Sequence, residues 1–189
     1  MAIDSKRVIN QPSPLTLDIV NYLRSLSAHI THVSHARRDW IFNLRKLIDQ
    51  TDRGNPASIA RLAAVLGRQQ IETFKSAKGE VGRLRPPSDC GECHAAALTW
   101  LDHHVTACER LIRVGESRDM RRLHAASEPL IEAKVAAQRI NTEYARLVSD
   151  LRRCVPRRLG RGGLAWLPFV SRPNGRAGRS LVGSNTNPA

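Results

Sequence analysis

The chain has 189 residues, about the length of one domain, with 30 Lys and Arg against 17 Asp and Glu and a net charge of +13. Hydrophobic residues make up 41% of it, enough for a core, and the composition excludes a collagen repeat, a long disordered chain and a disulfide-dense miniprotein. No run of about 18 or more apolar residues is present to cross a membrane as a helix, which leaves a soluble, basic, all-helical domain as the expectation.

Residues 1–13 are polar and contain proline, and read as a flexible N-terminal arm. Ser13-Pro14 has the form of an N-cap followed by proline at the first helical position. From there Ile19, Leu23, Leu26, Ile30, Val33, Trp40, Leu44 and Leu47 recur at steps of three and four, predicting an amphipathic helix over 14–52. Arg37 interrupts this seam, and Ala36 or Trp40 carries it past. Gly54 is the expected C-cap. Asn55-Pro56 starts a second helix by the same device, and the rhythm from Ile59 to Leu84 carries it to Pro86-Pro87, which ends it.

Asp89 is the expected N-cap of the third helix, with Glu92 completing a capping box. His94, Leu98, Leu101, Val105, Cys108 and Ile112 step down one face, and Gly115 is expected to close the helix. In the fourth, Leu123, Ala126, Leu130, Ala133, Ala137, Ile140, Tyr144, Leu147 and Leu151 alternate threes and fours. The phase survives Pro129, so a kink near 125–129 is expected and not a new element. Short connections make neighbouring helices antiparallel, and the seams approach the 3.5-residue repeat of left-handed packing. The expected fold is all-α, an antiparallel up-down four-helix bundle over 14–155, with two long helical hairpins as the alternative. Residues 156–189, rich in Arg, Gly and Pro, read as a disordered basic C-terminal tail.

One short pattern carries chemistry. Cys90-Gly91-Glu92-Cys93-His94 resembles the haem attachment site of c-type cytochromes. The resemblance covers five residues; it implies thioether bonds from Cys90 and Cys93 to haem c, and His94 as the axial ligand. The same residues admit two other uses. Cys90, Cys93 and His94 supply three of the four ligands that structural zinc takes. Cys-Gly-Glu-Cys at a helix start also looks like the redox pair of thioredoxin-like proteins, and a helix N-terminus lowers a thiol's pKa. Against all three stands a plain structural role, with Cys90, Cys108 and His94 filling the core.

The remaining candidates are weaker. His29, His32 and His35 drift from the edge of the first seam to its solvent face. His103 points outward and His104 lies at the edge, with Trp100 and Leu111 off the seam. No histidine has Glu three residues before it, which disfavours a di-iron bundle, and no P-loop, GxGxxG, GxSxG or HExxH is present. The N-terminus lacks an apolar signal core, so a cytoplasmic location with free thiols is expected. Eight arginines (Arg152, Arg153, Arg157, Arg158, Arg161, Arg172, Arg176 and Arg179) occupy the last fifth of the chain with no acidic residue among them. Such a segment can bind nucleic acid phosphates or, with Trp166 and Phe169, an anionic membrane surface; a solvated tail, or one folded back on the bundle, is the alternative. The favoured expectation is a non-enzymatic bundle with a structural or protein-interaction role, through an unidentified protein partner or self-association. Anionic-surface binding and a haem, metal or dithiol function at Cys90, Cys93 and His94 are the alternatives.

Overall fold

The computed structural model describes residues 13–51, 54–119 and 121–154; the N-terminal arm before Ser13 and the basic tail lie outside them. Within these residues every element is helical: α1 (Pro14–Asp49), α2 (Pro56–Arg83), a short 3-10 turn (Ser88–Cys90), α3 (Gly91–Ser117), the single-turn α4 (Arg121–Ala125) and α5 (Glu128–Cys154).

The two predicted proline starts are present. Ser13 and Asn55 are extended, and their side chains accept from the amides of Thr16 and Ala57. Each cap satisfies an N–H that the helix itself leaves open. The ends differ from expectation in four places. Gly54 is not the cap of α1: the helix stops at Asp49 with Gln50 as C-cap, and the Gly54 amide donates to Gln50 O at 2.9 Å. Asp89 does not cap α3; Ser88–Cys90 wind into a 3-10 turn, Cys90 takes the N-cap position, and no side chain caps the end. Gly115 lies inside α3, which runs on to Ser117 and ends on Arg118 in the left-handed region (φ 54°). The fourth predicted helix is divided, because the chain turns at Ala126-Ser127 and restarts. Pro129 then falls in the first turn of α5, where its missing N–H costs nothing.

Specific contacts fix the topology. Gly67 of α2 lies against Cys108 and Ile112 of α3, and Gly115 against Ala60 and Ala64, while Lys78 reaches back to Asp102, so α2 and α3 are antiparallel. Arg110 pairs with Glu128, Arg139 with Glu92, and Arg146 donates to Asp89 O, so α3 and α5 are antiparallel. Tyr22 meets His94 and Arg37 meets His104, so α1 and α3 run parallel. This is the up-down bundle predicted, with α1 and α3 on the diagonal. The helix α3 is the most enclosed: it packs along α2 and α5, while α1 and α5 touch only lightly.

That position explains a correction. The predicted seam of α3 includes His94, Leu98 and Ile112, which are only half-buried, whereas Cys93, Ala97, Trp100, His104, Ala107, Leu111 and Val114 are buried. A helix flanked on two sides and faced across the diagonal buries a wider arc than one stripe. The two largest fully buried side chains, Trp40 and Phe74, lie against His104; fully burying one such ring is worth about 2–3 kcal/mol.

Candidate functional site

Two polar clusters lie inside the bundle. The first contains the Cys90, Cys93 and His94 motif. Cys90, at the N-cap of α3, and Cys93, in its first turn, are fully buried. His94, one position on, is half-buried and turns toward α1, where the Tyr22 hydroxyl lies 3.0 Å from its Nδ1. Burial lowers the His94 pKa and raises that of Tyr22. A neutral imidazole and a protonated phenol follow, with the Tyr22 O–H donating to Nδ1. Tyr144 of α5 lies near Cys93, its hydroxyl beside Ser27 of α1. Neither oxygen has a partner in hydrogen-bond geometry.

The thiols behave opposite to the expectation from the helix dipole. Burial pushes Cys90 up to about 11, and the nearby Asp89 carboxylate adds to the rise against the opposing pull of Arg146. Cys93 is pushed up to about 12, first by burial and then by Cys90 and Glu143. Desolvation of the thiolate outweighs the field of a helix end that the 3-10 turn and surrounding side chains shield from water. Cys108, on the same helix, is also buried, likewise pushed up to about 12 by burial and Glu109. Among the described residues no three His, Cys, Asp or Glu side chains come together in a way that could hold a metal ion. The motif therefore places two protonated thiols and a tyrosine-bound histidine, the last only partly accessible, at one end of the bundle.

The second cluster was missed by the periodicity. His104, expected at the edge, is fully buried. Its Nδ1 lies 2.7 Å from Trp100 O, one helical turn back, and Arg37 Nε lies 2.7 Å from its Nε2. The carbonyl can only accept and the guanidinium can only donate, so the imidazole is neutral with its proton on Nδ1. Burial lowers its pKa to about 4, with Arg37 and His103 adding to the fall and the bond to Trp100 opposing it. The rings of Trp100, Phe74 and Trp40 surround it, with centroids 4.6, 4.8 and 6.2 Å away. Arg37, the break in the α1 seam, is half-buried and its pKa is lowered by burial and by Arg45. The one interrupting charge in an apolar seam was the available signal; its acceptor on another helix left no trace in sequence spacing.

No family model, curated protein or solved structure matches this chain.

The other candidates fall as follows. His32 and His35 are exposed and His29 half-buried, consistent with a solvated face. Trp100 and Leu111 are core residues, since α3 has neighbours on both sides. Of the eight predicted anion-binding arginines, Arg152 and Arg153 are exposed in the last turn of α5, where their charge suits the negative end of the helix. Arg153 is ion-paired with Asp150. Arg157, Arg158, Arg161, Arg172, Arg176 and Arg179 lie outside the described residues. No described helix is long and apolar enough to cross a membrane.

Proposed function

We propose that this protein is a non-enzymatic helical bundle that works through protein contacts on its outer faces. One observation carries the reading: its chemically versatile groups are spent inside, and its spare apolar surface is outside. Cys90, Cys93, Cys108 and His104 are buried in their neutral forms, which disfavours nucleophilic or proton-transfer work at physiological pH. Large apolar side chains remain exposed in neighbouring pairs, Leu62 with Val65 on α2 and Ile131 with Val135 on α5, where Ile131 is 64% exposed. Pairs three or four apart share a helix face, and grouped apolar side chains mark contact surfaces where scattered ones do not.

The test is to purify the full chain from its own cells beside two variants, Leu62→Glu/Val65→Glu and Ile131→Glu/Val135→Glu. A stoichiometric partner, including a second copy, that is lost with either variant at unchanged helicity and Tm supports the reading. Turnover of a small molecule that depends on Cys90, Cys93 or His94 would replace it with the redox or metal alternative.

A further inference from the structure

The α2–α3 face carries a charge pattern that ion pairs within the chain use only in part. Along α2, Arg61, Arg68 and Lys75 are spaced by seven residues, and along α3 so are Asp102, Glu109 and Glu116. The helices are antiparallel, so Lys75 and Lys78 lie level with Asp102, and Arg61 lies near the level of Glu116. A basic row thus runs beside an acidic row. Between them is a groove of about 650 Å³ whose floor includes Leu98 and Val105 and whose rims include Lys75, Lys78, Asp102 and Glu109. Lys78 and Asp102 pair across it, but Arg68, Lys75 and Glu116 make no ion pair among the described residues. Arg113, one of the two arginines on the acidic helix, forms a long ion pair with Glu109 at 4.0 Å and lines a cleft beside α4.

Of the five glycines on these two helices, Gly91 opens α3 and the other four separate into two kinds. Gly67 and Gly115 are required by the fold: a Cβ would lie 2.6 Å from Cys108 O at the first and 2.3 Å from the Ala64 Cβ at the second. Gly79 and Gly82 line the groove, and a Cβ at either would meet nothing within 4 Å. Both lie in the last two turns of α2, where glycine is a weaker helix former than alanine, and neither gains a compensating contact in the chain. Their effect is to leave the apolar floor uncovered and open to the close approach of another backbone.

From this arrangement we infer that the α2–α3 face binds a second copy of this chain, in a two-fold dimer whose axis runs along the groove. The inference rests on the reading that the outer faces make protein contacts, and it names the partner. Charge complementarity selects the occupant. A two-fold axis along the groove exchanges the α2 and α3 edges, so the basic row of each copy faces the acidic row of the other and both contacts form together. Heptad-spaced charges flanking an apolar seam set partner and orientation in helical assemblies by the same means. A partner of uniform charge would match one row and repel the other. The open glycines place the closest approach at the Gly79 and Gly82 end of the groove.

Sedimentation velocity on the full chain from 5 to 200 µM tests this with two charge-reversed forms. One is Asp102→Lys/Glu109→Lys/Glu116→Lys; the other is Arg61→Glu/Arg68→Glu/Lys75→Glu. The wild type is expected to dimerise, and each reversed form to remain monomeric with unchanged helicity. An equal mixture of the two is expected to regain the dimer, because every facing pair is again of opposite sign. Gly79→Leu/Gly82→Leu fills the groove without disturbing the monomer and is expected to weaken the dimer at least tenfold. A monomeric wild type, dimers of both reversed forms, or a mixture that stays monomeric overturns the inference. A monomeric wild type that still loses a co-purifying partner on Ile131→Glu/Val135→Glu would leave the broader reading standing and remove this one.

Discussion

Arg37 Nε donates to Nε2 of His104 at 2.7 Å, joining α1 to α3 across the diagonal of the bundle. The imidazole is completely buried, so the bond and its partner at Trp100 O specify a register that apolar packing alone would leave free to slide. Buried polar pairs serve this purpose in other helical assemblies at a cost in stability.

The first prediction concerns pH. The folded-state pKa of His104 is about 4, below its ordinary 6.5. The unfolded chain therefore binds the extra proton first as pH falls. The stabilisation is complete above about 6.5 and is lost as pH drops through about 4. The full loss is on the order of 3 kcal/mol. Thermal melts should show Tm falling from pH 6.5 to 5, above the range where most carboxylates titrate, and His104→Leu should flatten that interval. An equal slope in the variant would assign the effect elsewhere, for example to His94, whose pKa is also lowered.

Arg37→Met separates the roles of charge and hydrogen bond. It leaves Nε2 of His104 without a donor, a cost of about 1–3 kcal/mol, and relieves the burial of a guanidinium, so a net loss of about 1 kcal/mol at pH 7 is expected. Because the Arg37 charge lowers the His104 pKa, its removal should raise that pKa. An NMR titration of the His104 ring that finds no upward movement would contradict this account.

The glycines should divide by position. Gly67→Ala and Gly115→Ala force a Cβ into Cys108 O and Ala64, and each should cost about 1–3 kcal/mol through displacement of α2 from α3. Gly79→Ala, with open space around the new methyl, should instead stabilise by about 0.5–1 kcal/mol through helix propensity. Chemical denaturation of the three variants at a concentration where the chain is monomeric reads the sign directly.

Thiol reactivity offers a direct check on the motif. With Cys90 at about 11, and Cys93 and Cys108 at about 12, the thiolate fraction at pH 8 is about 100-fold or more below that of a free cysteine. In a Cys154→Ser background the three should react with an aromatic disulfide at least 100-fold more slowly than after unfolding. A fast single thiol at Cys90 or Cys93 would revive the dithiol reading.

Much of the architecture was legible because it is local. Ser13-Pro14 and Asn55-Pro56 set two helix starts through bonds that span two or three residues, and the apolar steps of α1 and α5 display the faces they bury. The short links then leave few ways to join four helices. Where the endings were misread, a local signal was overruled from a distance. Gly115 has the form of a stop, yet it sits within α3 because Ala60 and Ala64 of α2 approach too closely for any side chain. Asp89 has the form of a cap, yet the 3-10 turn gives that position to Cys90.

The sequence by itself determined the helical segments, the starts at Pro14 and Pro56 and the all-α class, because periodicity and capping depend on neighbours a few residues away. Only the tertiary structure decided which polar groups are chemically available. His104 and Arg37 are 67 positions apart, and Tyr22 and His94 72; their pairing depends on which helices share a diagonal. Cys90 stands at a helix N-terminus in sequence and structure alike, but its thiol is governed by burial. Desolvation comes from every chain segment packed around a group, and spacing along one helix carries no record of it.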